Sequence, residues 1–200
     1  QIKKINFNNL KSLKKLKITK NIKPILIGGA PSLKEYGKLL FGKIHSKVPI
    51  ILSGSNALFN FSSLKFKIDN PLILILSGSE IKKINMTSNN NLLNKLGLHA
   101  IIVEKDFLPK NLNFKKKNNI VTVDSVAINP LLLTGLTLLR LRIRKLHLAF
   151  FDGDSSSEKG RIVMEETEDS LKILIKKGLN ISTITKSFLP VKNINPWIYD

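Results

Sequence analysis

Pro24-Ile-Leu-Ile-Gly-Gly-Ala-Pro-Ser-Leu-Lys-Glu35 is the stretch on which the fold turns. Its first part, Pro24-Ile-Leu-Ile-Gly28, is a short apolar run closed by glycine. A strand buried on both faces reads this way, with a tight turn after it. Ser32-Leu-Lys-Glu35 has the form of a capping box, in which the serine hydroxyl accepts an early backbone N–H and the glutamate reaches back. Leu33, Tyr36, Leu40 and Ile44 then share one helical stripe. Strand, glycine turn and capped helix in that order open a βα unit.

The alternation continues outward. Val48–Leu52 and Leu72–Leu76 read as further buried strands, and Ile51-Leu-Ser-Gly-Ser55 is echoed by Ile75-Leu-Ser-Gly-Ser79. The echo is too short for a repeat and marks two strands that end in the same kind of turn. A helix is expected around Asn56. Asn89-Asn-Asn91 precedes a short helix that Gly97 ends. His99–Val103 and Ile120–Val123 are strands, with a polar loop from Asp106 to Asn119 between them. Pro130 opens a helix at its first turn, and Arg140, Arg142 and Arg144 suit its C-terminal end. Leu146–Phe150 is the next strand, a helix spans about Ile162 to Lys177 before Gly178, and Ile181–Ile184 is the last strand. This spacing predicts an α/β fold, doubly wound around a mostly parallel sheet.

Composition narrows the function classes. The chain of 200 residues suits one domain, and 42% apolar residues support a real core. Cysteine is absent, which excludes a disulfide scaffold, thiolate zinc sites and a cysteine nucleophile. Apolar runs such as Ile50–Leu52, Pro71–Leu76 and Pro130–Leu133 are too short to cross a bilayer. The net charge is +19, from 33 Lys and Arg against 14 Asp and Glu. Arginine occurs only at Arg140, Arg142, Arg144 and Arg161, so the excess is lysine, in a chain rich in Asn and Ile. Compositional bias explains this better than nucleic-acid binding, which favours arginine forks and stacking aromatics, here 6%.

The charge is uneven. Residues 1–47 are lysine-rich with only Glu35 opposing, whereas Asp152 to Asp169 is acidic. Ile2 to Lys20 carries Phe7, Leu10, Leu13 and Leu16 at roughly three-residue spacing, which predicts a short amphipathic helix. The expected organisation is a basic helical arm or interdomain linker over 1–23, an α/β domain over 24–190, and a tail over 191–200. Residue 1 is glutamine, so a fragment, a processed form or a trimmed form of a longer chain is expected.

Parallel sheets bind ligands beyond the C-terminal ends of their strands, so the candidate residues lie in those turns. Gly28, Gly29, Ala30 and Ser32 join a strand to a helix start, where backbone N–H groups and the helix dipole favour phosphate or carboxylate. A turn that merely needs glycine is the plain alternative. Ser53 and Asn56 follow the second strand, and an amide there can read a sugar or a base. Asp152 and Gly153 end the sixth strand; Thr185 and Ser187 follow the last. Asp152, Asp154 and Glu158 could offer hard oxygen ligands to a divalent cation, but they lack the rest of an EF-hand spacing. Asp152 is expected to accept hydrogen bonds rather than to hold a metal. His45, His99 and His147 are isolated and expected to be structural, and no nucleophile-elbow motif is present.

Together these turns resemble a known arrangement. Ile25-Leu-Ile-Gly-Gly-Ala-Pro-Ser-Leu33 is similar to the glycine-Pro-Ser-Leu loop of the Rossmann-like superfamily that includes bacterial sialyltransferases and pterin-diphosphokinase-like domains. Val126-Ala-Ile-Asn-Pro-Leu-Leu-Leu133 and Leu146-His-Leu-Ala-Phe-Phe-Asp-Gly-Asp154 resemble further segments of that group. The order of Phe151-Asp-Gly-Asp154, the acidic helix around Met164-Glu-Glu-Thr-Glu168 and Ser182-Thr-Ile-Thr-Lys-Ser-Phe-Leu-Pro190 resembles more narrowly the C-terminal domain of 4-hydroxy-2-oxovalerate aldolase-like proteins. The chain departs from the pattern where Phe150 replaces glycine, where Lys186 replaces proline, and in lacking the general-base histidine of the sialyltransferases.

The resemblance implies a cytoplasmic accessory domain that binds an anionic small ligand, a nucleotide or nucleotide-sugar, with no cofactor required. It further implies an upstream TIM-barrel domain that carries any aldolase chemistry, in surface-polysaccharide biosynthesis. An autonomous glycosyl- or diphospho-transferase and a non-catalytic interaction module are the alternatives.

Overall fold

A computed structural model of the chain describes residues 6–8, 22–78, 80, 84, 92–107, 120–124, 129–153 and 156–194. They form one nine-stranded sheet: β1 (Asn6–Asn8), β2 (Ile25–Ile27), β3 (Ile50–Ser53), β4 (Leu72–Leu76), β5 (Ala100–Glu104), β6 (Ile120–Asp124), β7 (Lys145–Ala149), β8 (Asn180–Thr183) and β9 (Lys192–Asn193). The spatial order is β1-β6-β5-β4-β3-β2-β7-β8-β9. Only β1 runs antiparallel, on β6; every other pairing is parallel. The helices with full bounds are α1 (Ser32–Phe41), α2 (Gly54–Ser63), α3 (Pro130–Arg140) and α4 (Glu158–Lys176).

The apolar runs become strands because both sheet faces are covered, so every residue along them can be buried. The period of two then sorts side chains by face. Ile25, Ile27, Ile50, Leu52, Leu72, Leu74 and Ala149 pack with Leu33, Leu40 and Phe41 of α1 and Leu58 and Phe61 of α2. Leu26, Ile51, Ile73, Ile75, Leu146 and Leu148 pack with Leu131, Leu133 and Leu136 of α3 and Leu171 and Leu174 of α4. The sheet is therefore doubly wound, as expected. α3 and α4 approach so closely that a β-carbon on Gly135 would fall 2.4 Å from the Leu174 methyl carbons.

The expected strands are all present, with ends displaced by a residue or two. Two expectations need correction. The amphipathic helix over Ile2–Lys20 does not hold at Asn6–Asn8, which pair Asn6 to Asp124 and Asn8 to Thr122. An edge strand offers an unpaired row of backbone donors and acceptors, and completing that row outweighs a weak helical periodicity; residues 9–21 lie outside the described set. With β1 and β9, the sheet also takes in chain on both sides of 24–190.

The capping box at Ser32 does not form. Pro31 already has helical backbone angles and is the cap residue; it makes no side-chain cap bond, and the Lys34 N–H donates to the Pro31 carbonyl at 2.9 Å. A capping hydroxyl needs an extended residue beneath it, and Ser32 is one position too far into the helix. α4 starts earlier than expected because Ser157 caps it, accepting the Gly160 N–H at 3.0 Å. The helical turn at 92–95 is present before Gly97, while the asparagines proposed to precede it lie outside the described residues. No helix among the described residues is long and apolar enough to cross a membrane.

Candidate functional site

Strand order reverses between β2 and β7: the chain leaves β2 toward β3 on one side and β7 toward β8 on the other. At such a switch point the two turns diverge and open a crevice at the C-terminal edge. A cleft of about 830 Å³ lies there, reached by the turns after β2, β3, β4 and β7 and by the starts of α3 and α4.

The turn after β2 is shaped by close approach. Gly28 donates its N–H to the Ala149 carbonyl at 2.8 Å, and a β-carbon on it would sit 2.1 Å from the Phe150 carbonyl oxygen. A β-carbon on Gly29 would sit 2.6 Å from the Asn56 β-carbon and 3.1 Å from the Ala57 nitrogen. Asn60 donates its amide to the Gly29 carbonyl at 2.9 Å. Gly29 and Ala30 reach the cleft wall, whereas Gly28 lies buried behind them and Ser32 is not on the wall. The Ser32 hydroxyl oxygen is buried without a hydrogen-bond partner among the described residues.

The turn after β7 is held from below. Phe150, almost fully buried, has a left-handed backbone with φ 59°, the position where the resembling family carries glycine. Its N–H donates to Thr185 Oγ1 at 2.7 Å. The Ser187 hydroxyl donates to the Phe151 carbonyl at 2.5 Å and accepts the Leu189 N–H at 3.2 Å. Thr185 and Ser187 therefore brace the turn instead of lining the cleft. Asp152 and Gly153, which the turn presents, do line it.

Ser53 and Asn56 lie on the wall as expected, Asn56 exposed in the first turn of α2. Phe151, Val163, Met164 and Leu189 add an apolar stretch to the lining. Asn129 joins α3 to α4 on the cleft wall. Its side-chain oxygen caps α3 by accepting the Leu132 N–H at 2.9 Å, and its amide donates to the Glu166 carbonyl at 3.1 Å and Ser170 Oγ at 2.9 Å.

Sequence reasoning missed Glu80, Asn129, Lys159 and Glu166 on the wall. Glu80 Oε2 accepts the Ser55 N–H at 2.7 Å and also the Ser55 hydroxyl. One strand further out, Glu104 Oε2 accepts the Gly78 N–H at 2.7 Å. The two Ser-Gly-Ser turns are thus braced alike, each by a glutamate contributed from the next stretch of chain. The repeated motif was the signal; a glutamate ending an otherwise apolar strand, Glu104 at 1% exposure, was a second.

Charged side chains on the wall, among the described residues, are Lys159 against Glu80, Asp152 and Glu166. No group of three His, Asp or Glu side chains among the described residues is placed to hold a metal ion. Asp154 falls outside them, and Glu158 is exposed at the start of α4. His147 is buried within β7, away from the cleft wall, with Nδ1 2.7 Å from Ser182 Oγ. Burial, helped by the charges of Lys23 and Lys145, pushes its pKa down to about 4. No protein-family model, curated protein or solved structure matches this chain.

Proposed function

We propose that the cleft binds a nucleotide or nucleotide-sugar, and that the domain serves a larger aldolase-like protein as a cytoplasmic binding module. One observation carries this reading: the starts of α1, α2, α3 and α4 all border a single cleft at the switch point of the sheet. Helix starts carry a partial positive charge that favours an anionic group, and at α2 the protein's own Glu80 answers it. Asn56 and Asp152 offer an amide and a carboxylate for sugar hydroxyls or base edges, and the Phe151–Met164 wall suits a base or sugar ring. The sequence resemblance supports the link to an aldolase barrel and to polysaccharide assembly.

The test is a calorimetric titration of the protein with nucleoside mono- and diphosphates and nucleotide-sugars. Saturable binding that is lost when Asp152 is replaced by alanine supports the reading, and no binding across the panel ends it. The three wall carboxylates also favour a transferase in which one acts as base. Turnover of a bound nucleotide-sugar would select that alternative, and binding without turnover would select the module.

A further inference from the structure

Glu80 stands just past β4 on the cleft wall, and its carboxylate is turned onto the start of α2. One oxygen, Oε2, takes both the backbone N–H and the hydroxyl of Ser55. α2 has no acidic residue in its own first turn, and its cap residue Ser53 makes no side-chain cap bond. The positive pole that a bare helix would offer to a phosphate therefore already holds an anion, supplied by the protein. The fit is close: a β-carbon on Gly54, itself at φ 81°, would lie 3.0 Å from Glu80 Oε2 and 3.5 Å from the Pro130 ring.

We propose that Glu80 is the resident anion of the cleft, closing the start of α2 to phosphate and so determining which part of an anionic ligand can lie there. This builds on the nucleotide reading for its biological use. Like charges within hydrogen-bonding distance of one amide repel strongly, so a phosphate reaches the Ser55 N–H only where the carboxylate is gone. A ligand phosphate is directed instead to the start of α4, where Lys159 lines the wall.

The experiment uses inorganic phosphate alone, titrated into the full chain while backbone amide resonances are followed. In the wild type the Ser55 and Asn56 amides stay in place at millimolar phosphate. In Glu80→Ala they shift saturably, because the pole is vacated. Glu80→Gln, which keeps an acceptor for Ser55 but removes the charge, gives a smaller shift of the same amides and serves where the alanine variant fails to fold. Wild-type Ser55 following phosphate as the variants do, or both variants staying silent, overturns the proposal. No nucleotide enters this experiment, so its failure is distinct from a failure of the nucleotide titration.

Discussion

The Phe150 carbonyl oxygen lies 2.1 Å from the point where a β-carbon on Gly28 would be. Gly28 also donates its N–H to the neighbouring Ala149 carbonyl, and Ala30 reaches the Phe150 carbonyl at 3.4 Å. The turns after β2 and β7 are thus joined backbone to backbone at the base of the cleft. Phe150 turns away in a left-handed conformation at this point, which lets its carbonyl face Gly28 while its ring stays in the core.

Gly28→Ala is accordingly expected to destabilise the protein by about 3 kcal/mol, at the upper end of what overpacking costs, because the obstacle is backbone and cannot rotate aside. Denaturant unfolding of the variant beside the wild type measures it. A midpoint unchanged from wild type would show that the two turns are not in contact as described.

Much of this arrangement was legible in the sequence. Apolar runs such as Leu72–Leu76 can only be buried on both faces, and that fixes a parallel sheet with helices on each side. Gly29, Asn56 and Asp152 were singled out because they follow strand ends, and the structure places them on the cleft wall. Their division of labour with Gly28, Thr185 and Ser187 was not legible, because which turn residue faces the cleft depends on contacts between turns far apart in the chain. The Asn6–Asn8 strand was hidden for a similar reason: its partner, β6, lies more than a hundred residues away. The Ser32 cap failed on a local detail, the helical conformation of Pro31.

Asn129 couples the helices on one side of the sheet. Asn129→Ala removes the cap of α3 and both amide bonds to α4, with an expected loss of about 2 kcal/mol. Asn129→Asp keeps the capping oxygen but turns a carboxylate oxygen onto the Glu166 carbonyl in place of the donor, so it should recover less than half of that loss. Thermal unfolding of the two variants tests this; an Asn129→Asp variant as stable as the wild type would mean that the bonds to Glu166 and Ser170 carry no weight.

His147 gives the fold a pH dependence of known sign. Its folded pKa is lowered from 6.5 to about 4, so the native state holds the neutral ring. Between these values the unfolded chain binds a proton that the folded chain does not, and stability rises with pH. The contribution is complete above about 6.5 and is lost as pH falls toward 4. Going from pH 7 to pH 5 should cost about 2 kcal/mol through this group. His147→Gln should flatten that part of the stability profile, and a variant with the wild-type slope would assign the pH dependence elsewhere.

Asn56 provides the cleanest probe of the cleft. Its β-carbon packs on Gly29, but its amide lies on the exposed cleft wall. Asn56→Ala keeps that β-carbon and removes only the polar group, so stability should stay within about 0.5 kcal/mol of wild type. Nucleotide or nucleotide-sugar affinity should fall about tenfold, the equivalent of one good hydrogen bond. A bulky substitution at Gly29 is a poorer test, since Gly29→Val would push against the Asn56 β-carbon and the Ala57 nitrogen and shift the start of α2 itself. Loss of binding there mixes packing with recognition. If Asn56→Ala binds as the wild type does while Asp152→Ala does not, the ligand lies toward β7 and the apolar wall of α4, and the wall at α2 is left without a direct contact.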